Sequence, residues 1–344
     1  MTSRTKTVIG IGSAVIVVAV AFIGFRLFTR DPGEPLLPNI PLGGGEPVTC
    51  TLTGLETGAP SLVERRVLAV KIENSPESRP QMGLAEADVI YEQEAEGGIT
   101  RFNVLYHCRD ADRIGPIRSA RPVDPAILQQ YGDVLFVHAG SAGETVRALE
   151  ESGIEQINCN FEEETCPRDE SREAPHDVFT STDELRGFSG EEGTPPGEAF
   201  AFSADPPEDG ARGREVNLNF SPVADVSWRY RNNKDLYLRF HGEDLHELED
   251  GTPVTAANVV VMLVDREATS LTDAAGTPVP TFDVVGRGDL LVFRNGTMVE
   301  GRWARDSEED PIELLDRRGE EIPLAPGQTW IELFPTDAPE PPEF

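Results

Sequence analysis

The feature that most constrains this chain is an uncharged apolar run near its amino terminus, which starts at Val8 and continues, with Arg26 as its one charge, to Phe28. Arg4 and Lys6 precede it. A helix rises 1.5 Å per residue, so about 20 residues cross roughly 30 Å of hydrocarbon. We therefore predict a cytoplasmic tail at residues 1–7, a transmembrane helix at residues 8–28 and an extracytoplasmic ectodomain.

A cleaved signal peptide is the alternative, because Ala19-Val20-Ala21 resembles an A-x-A cleavage site. The apolar run continues beyond that site through residues 22–25, which favours an uncleaved anchor. Residues 29–48 then carry five prolines and three consecutive glycines, a composition typical of a linker. The predicted location is the cell membrane, with a single span.

The charge balance limits the partners. The 344 residues include 61 acidic and only 30 basic ones, giving a net charge of −31. Such a surface repels phosphate backbones, so nucleic acid is excluded as a partner. The simplest interpretation of the acidic excess is a solvated surface with no specific role in binding. Nothing in the sequence specifies an organic cofactor or a metal.

The four cysteines, an even number, indicate an oxidising compartment. Cys159 and Cys166 bracket a short acidic loop and could close it, which would leave Cys50 to pair with Cys108. Three connectivities are possible in principle. A zinc site is the alternative, but the spacings contain no C-x-x-C pair.

The pattern of the ectodomain predicts an α+β fold in two parts. Residues 49–204 mix strand and helix signals and predict a layered N-terminal domain of sheet and helices. Its predicted strands are Val67–Ile72, Val89–Glu92, Phe102–Cys108 and Asp133–His138. After the last of these strands, Ser141 and Glu144 stand at capping-box spacing and predict a helix that runs to about Gly153.

Residues 215–334 are almost all strand-like and predict a strand-rich C-terminal domain. Two hairpins are expected, one around Asn232-Asn233 and one at Asn295-Gly296. Acidic residues 203–214, rich in proline and glycine, mark the predicted domain boundary. Residues 335–344 have the composition of a disordered tail.

The residues that could carry chemistry are concentrated between positions 92 and 121. Arginines are scarce in so acidic a chain, yet several lie here between sharp glycine turns, and arginine suits bidentate recognition of carboxylate or phosphate. A buried structural ion network is the alternative. The ligand-binding candidates in this stretch are Glu92, Glu96, Arg101, Arg118, Ser119 and Arg121.

Four further candidates follow. His138 ends a predicted strand directly before Ser141, at the kind of edge where α/β sheets collect ligands, although a lone histidine there is more often structural. Arg172 and His176 lie in the string SREAPHDVFTST. Ser141 with His138, or Ser119 with His176, could act as nucleophile and base, but neither pair stands in a nucleophile elbow.

Long strings of this chain resemble the YerB-like family of bacterial envelope proteins. They include RPQMGLAEADVIYEQEAEGGITRF, ADRIGPIRSARP and SREAPHDVFTST, followed by VVGRGDLLVFRNGTMVEGRW and PLAPGQTWIELFP. The resemblance covers roughly residues 50–335. It implies an α+β N-terminal domain, a strand-rich second domain and export, often as a lipoprotein. This chain differs, because no cysteine follows the apolar run closely enough to be lipidated.

The resemblance implies no activity, because the family is one of unknown function. Three hypotheses remain. The first is a non-catalytic module that binds an anionic cell-wall polymer or an envelope assembly partner through an Arg/His-lined cleft. In this hypothesis four arginines hold the anion and His138 and Ser141 complete the cleft; the arginines are Arg101, Arg118, Arg121 and Arg172. The second is an envelope hydrolase that uses Glu92 or Glu96 with His138 or His176 as acid and base. The third is a structural tether whose polar cluster is a buried network.

Overall fold

The structure, a computed structural model, describes residues 48–141, 143–190, 193–272 and 276–344. The predicted tail at 1–7, membrane helix at 8–28 and all but the last residue of the predicted linker at 29–48 lie outside the described residues. Within those ranges, no helix is both long enough and apolar enough to cross a membrane. The ectodomain is rich in strands and has few helices, in agreement with an α+β class.

The helices are short and the strands numerous. Three α-helices are described: α1 (Asp124–Leu128), α2 (Glu144–Ser152) and α3 (Thr182–Ser189). The strands are β1 (Val48–Thr49), β2 (Glu56–Thr57), β3 (Val67–Glu73), β4 (Val89–Glu94), β5 (Thr100–Tyr106), β6 (Val134–His138), β7 (Glu155–Asn158), β8 (Ala211–Arg212), β9 (Glu215–Ser221), β10 (Ala224–Arg231), β11 (Leu236–His241), β12 (Asp244–Leu245), β13 (Thr255–Ala256), β14 (Asn258–Val264), β15 (Arg266–Thr272), β16 (Pro278–Phe282), β17 (Gly286–Arg294), β18 (Thr297–Arg305), β19 (Glu313–Asp316) and β20 (Thr329–Pro335).

One mixed sheet organises the described residues. Its strand order is β19-β18-β17-β14-β20-β4-β5-β3-β6-β7, with β8 paired to β18. Strands from both predicted domains enter this sheet, and they join where β20 runs parallel to β4. A second sheet has the order β12-β11-β10-β9, with β13 on β11. The four predicted strands of the N-terminal region correspond to β3, β4, β5 and β6.

Both faces of the large sheet are covered. Alternate residues along a strand point to opposite faces, so a strand buried on both sides shows an unbroken apolar run. On one face, Ile90 and Phe102 pack with Trp228 of the second sheet. On the other face, Tyr91 and Phe136 pack with residues of α1 and α2. The continuous hydrophobic strings of the sequence therefore correspond to central strands.

The two predicted hairpins are present. Strands β10 and β11 pair antiparallel across residues 232–235, and β17 pairs with β18 across Asn295-Gly296. Asn295 has φ of 49° and Gly296 has φ of 71°. A two-residue turn with both residues at positive φ matches the twist of its strands, and Asn-Gly tolerates that backbone best.

Two local predictions need correction. Gly143, not Ser141, precedes α2, and no side chain caps that helix. The side chain of Glu144 instead accepts a hydrogen bond from Ser270. Residues 335–344 are not the isolated tail that their composition predicts, because the backbone of Glu343 exchanges two hydrogen bonds with Asn217 of the edge strand β9. An unpaired strand edge can recruit a neighbouring segment in this way.

The predicted disulfides, Cys50–Cys108 and Cys159–Cys166, are both present. The first closes a separation of 58 residues and fixes the start of the ectodomain to the end of β5. The second closes a separation of 7 residues in the acidic loop after β7. Both lie on the part of the chain that is predicted to be extracytoplasmic.

Removing the longer bridge is expected to destabilise the ectodomain more than removing the shorter one. Loop-closure entropy gives a loss of about 4 kcal/mol for Cys50→Ala with Cys108→Ala, and about 2.5 kcal/mol for Cys159→Ala with Cys166→Ala. Urea unfolding of the two double variants beside the wild type measures both losses. Equal losses would contradict the expected dependence on loop length.

Candidate anion-binding cleft

A cleft of about 600 Å³ lies beyond the carboxyl ends of the parallel strands β3 and β6. The segment from Arg118 to Arg121 forms its floor, because Arg118 N donates to Lys71 O and Ala139 N donates to Arg118 O. Ala120 N also donates to Gly140 O, at 2.9 Å. The sequence predicts a ligand site at this edge of the sheet, and the arginine-rich segment crosses it.

Arg101 and Arg121 share one carboxylate in this cleft. Glu96 Oε2 lies 3.3 Å from Arg101 Nη2 and also pairs with Arg121 Nη2. Both guanidinium groups are further held by Ser119 O, each at 3.0 Å. Burial and then the neighbouring Arg121 lower the pKa of Arg101 to about 9. Positive charge is therefore crowded here, and a negative charge in the cleft would relieve it.

Glu96 stands in the turn between β4 and β5, where Gly97 and Gly98 both have positive φ. Burial tends to raise the pKa of the Glu96 carboxyl, but Arg101 and Arg121 outweigh it, so the pKa is lowered. Glu96 is thus a fixed anion inside the cleft. The Nε groups of Arg101 and Arg121 are buried and donate to no acceptor among the described residues.

Arg118 lies nearer the solvent, with 23% of its side chain exposed. Its Nε is 3.1 Å from Glu73 Oε1, and Glu73 Oε2 lies 2.8 Å from His176 Nδ1. Within the part of the chain that the structure describes, no hydrogen bond engages the two terminal nitrogens of Arg118. These nitrogens are available to a ligand, whereas His176 contacts Glu73 and does not line the cleft.

The opposite wall contains residues that the sequence analysis did not select. Arg168 lines the cleft and pairs with Asp177 at 2.8 Å. Leu271, Thr272 and Val279 come from the two-stranded β15–β16 hairpin of the C-terminal region. No local motif marks these positions, because they reach the cleft only through tertiary folding.

Glu92 is a predicted candidate that lies elsewhere. It faces the second sheet, is fully buried, and accepts hydrogen bonds from Arg239 Nη2 at 2.8 and 2.7 Å. Thr100 and Asn74 also donate to it. Glu332 is directly opposite Glu92 on the neighbouring strand β20. The structural alternative, a buried ion network, therefore describes Glu92.

Some of the remaining candidates line the cleft and others lie elsewhere. His138 is fully buried, and its two ring nitrogens are bonded to Gly140 O and Gln156 Oε1, each at 2.9 Å. Arg172 donates to the carbonyls of Ser78 and Pro80 rather than lining the cleft. Ser119 and Ser141 do line it. Of the ten ligand-binding candidates, Glu92, His138, Arg172 and His176 do not line the cleft. The six that do are Glu96, Arg101, Arg118, Ser119, Arg121 and Ser141.

The two proposed nucleophile–base pairs are not hydrogen-bonded. Ser119 Oγ donates to Ala139 O, and the ring nitrogens of His138 are occupied as described above. His176 Nδ1 faces Glu73. In the described ranges there is also no group of three or more His, Cys, Asp or Glu side chains that could hold a metal ion.

Comparison with known proteins gives matches for both halves of the ectodomain. The N-terminal domain of a family described as "Protein of unknown function (DUF3048)" matches residues 52–194, and the C-terminal domain of the same family matches residues 216–331. A Bacillus subtilis (strain 168) protein with the name "Putative lipoprotein YerB" is 29% identical over 294 residues, which are 83% of this chain and 85% of that protein.

The chain belongs to the YerB-like family. The crystal structure of the YerB protein from Bacillus subtilis agrees, with a TM-score of 0.71 at 26% identity over 83% of this chain and 96% of that one. The family resemblance read from the sequence strings is therefore confirmed. The family description assigns no activity, so function must be argued from the site.

A second depression of this YerB-like chain shows why the cleft is the better anion site. It measures about 890 Å³ and lies along β17, β18 and β19. Four arginines line it, but four acidic residues line it as well. The acidic residues match the arginines in number, so no positive charge remains for a ligand. The residues are Arg287, Arg302, Arg317 and Arg318 with Asp289, Glu300, Glu313 and Asp316.

Proposed function

We propose that this protein is a membrane-tethered extracytoplasmic binding module that holds an anionic group of a cell-wall polymer in the arginine cleft. The location is supported by the apolar amino-terminal run, the two disulfides and a relative named as a lipoprotein. A wall polymer is favoured over a protein partner because the ligand meets a concave cleft rather than a broad flat surface.

One observation carries the proposal: an arginine-lined cavity in a chain of net charge −31. The general surface of such a protein repels anions. Anion binding would explain why guanidinium groups are concentrated in one cavity of so acidic a protein. Arg118 is the central anion-binding residue in this proposal, because it lines the cleft and its terminal nitrogens have no hydrogen-bond partner among the described residues.

The hydrolase hypothesis receives little support from the same residues. A general acid needs a raised pKa, and the pKa of Glu96 is lowered. Glu92 is fully buried and bound by Arg239, so it cannot reach a substrate. The tether hypothesis fits Glu92 and its partners, but it leaves the open cavity unexplained.

Retention of the full-length protein on purified cell-wall sacculi tests the proposal. We expect Arg118→Gln with Arg168→Gln to weaken retention at least tenfold, because each lost contact with an anion is worth roughly 1 kcal/mol or more. No soluble wall fragments should appear. Released fragments would instead support the hydrolase hypothesis. If the protein bound an envelope protein but not the sacculi, the ligand would be a protein rather than a wall polymer.

The matched control is Arg317→Gln with Arg318→Gln. These side chains are 77% and 67% exposed and lie in the charge-balanced depression. The control removes the same formal charge at a different place. If both double variants lost retention equally, the effect would come from net charge, and the cleft would not be the site.

A further inference from the structure

The formal charges of the side chains around the cleft do not sum to zero. Their net charge indicates which kind of anion the cleft binds. Four arginines line it with one carboxylate, Glu96. Two more carboxylates form ion pairs with these arginines: Glu73 pairs with Arg118, and Asp177 pairs with Arg168. Counting arginines and carboxylates alone, four positive charges face three negative ones among the described residues. One positive charge remains.

We propose that the cleft selects a group with a single negative charge, and specifically a phosphodiester rather than a phosphomonoester. This inference rests on the proposed function and names the ligand class of the same site. A monoanion neutralises the remaining positive charge. A phosphomonoester carries close to two negative charges above pH 7, so it would leave one of them uncompensated in a partly buried site.

The geometry favours a phosphodiester over a carboxylate. The position between Arg101 and Arg121 is already filled by the protein's own carboxylate, Glu96. The ligand is left with Arg118 and Arg168, which come from separate segments of the chain. A tetrahedral phosphate presents oxygens in several directions and can be bound by two such groups, whereas a planar carboxylate suits one bidentate arginine. A cavity of about 600 Å³ also leaves room for substituents on both ester oxygens.

Glu96 is then a selectivity residue, because it sets the charge that the cleft can accept. Replacing it by glutamine removes one negative charge while keeping the shape. The gain in attraction is twice as large for a dianion as for a monoanion. We therefore expect Glu96→Gln to shift the preference towards a phosphomonoester by roughly tenfold.

The test uses competition. The full-length protein in mild detergent is bound to sacculi at pH 8, and two probes are compared for the concentration that releases half of it. The probes are bis(glycerol) phosphate, a diester, and glycerol 2-phosphate, a monoester. We expect the wild type to be released at the lower concentration by the diester. Glu96→Gln should reduce or reverse that preference, and its thermal melting shows whether it still folds.

Failure of the inference and failure of the proposed function give different results. A wild type that prefers the monoester, or shows no preference, overturns the inference while arginine-dependent retention still stands. Retention that neither probe relieves also overturns it, since phosphate would not be the bound group. Retention independent of Arg118 and Arg168 overturns the proposed function, and the inference falls with it.

Two further arms identify the source of the phosphodiester. Sacculi stripped of phosphate-containing polymer should lose the protein if the wall supplies the ligand. Vesicles of phosphatidylglycerol, compared with phosphatidylcholine, report a lipid headgroup instead. Diester-selective binding to the phosphatidylglycerol vesicles alone would support the phosphodiester inference and overturn the wall polymer as its source.

Discussion

Replacing Arg239 by methionine is expected to lower the free energy of unfolding by about 3–5 kcal/mol. Arg239 is fully buried and donates to both carboxylate oxygens of Glu92. Its guanidinium also lies over the rings of Phe102 and Trp330, with 5.4 and 5.3 Å to the ring centroids. Methionine fills similar volume but leaves the Glu92 carboxylate buried without its counter-charge, which is the costly outcome.

Urea unfolding of the full-length chain, followed by circular dichroism, measures this loss. Arg318→Met is the control, because Arg318 is exposed and paired only with the exposed Asp209. Surface ion pairs of that kind contribute little to stability. A loss below about 1 kcal/mol for Arg239→Met would show that the second sheet does not depend on this ion pair for its attachment.

Replacing Glu332 by glutamine is expected to have the opposite effect, and one that depends on pH. Glu332 and Glu92 are both fully buried and stand directly opposite each other on β20 and β4. Arg239 pairs with Glu92, and Trp228 Nε1 donates to Glu332. Burial and then the charge of Glu92 raise the pKa of Glu332 well above its ordinary value. Glu332 is accordingly the member that holds a proton, and glutamine imitates that protonated form.

The direction with pH follows from proton binding. Between the unfolded pKa near 4.5 and the raised folded pKa, the native state binds a proton that the unfolded chain has lost. This contribution to wild-type stability is complete below pH 4.5 and is lost as the pH rises. The stability of Glu332→Gln relative to wild type should therefore increase as the pH rises above 4.5, by at most about 1.4 kcal/mol per pH unit.

Unfolding curves of the two proteins at pH 5, 6 and 7 measure that difference, and groups shared by both proteins cancel from it. Glu92→Gln is the informative comparison, because it removes the carboxylate to which Arg239 donates, so it should destabilise at every pH. A constant difference between Glu332→Gln and wild type would mean that Glu332 is ionised in the native state.

Local patterns were sufficient where the structure depends on neighbours in sequence. The hairpin at Asn295-Gly296 follows from backbone preference alone. Arg101, Arg118 and Arg121 meet because β5 and the segment after it fold back over one sheet edge. The sequence left three cysteine connectivities open, and the short loop favoured the one that the structure shows.

The other features of the two polar centres depend on tertiary structure and could not be predicted from local patterns. Glu92 and Glu96 have the same charge and lie four positions apart, yet they serve different places. Glu92 is in β4 and faces the second sheet, while Glu96 follows the strand in a glycine turn that redirects it to the cleft. Arg168 and the β15–β16 hairpin reach the cleft from remote segments. A charged residue in an otherwise apolar strand, such as Glu332 between Trp330 and Phe334, is a local signal that could have indicated the buried network.

The two polar centres are separate. The pair formed by Glu92 and Arg239 is fully buried and joins the two sheets. The arginines around Glu96 border an open cavity that shares no residue with that pair. Variants of Arg239 should change stability, whereas variants of Arg118 and Arg168 should change binding with the fold intact.

The most direct test of the cleft is to observe the arginine Nε–Hε signals by NMR while soluble wall fragments are added to the full-length protein in detergent. Single substitutions assign the signals of Arg118, Arg168, Arg317 and Arg318. We predict saturable shifts for Arg118 and Arg168, and none for Arg317 and Arg318. Shifts confined to Arg317 and Arg318, or an absence of shifts while the fragments bind, would contradict it.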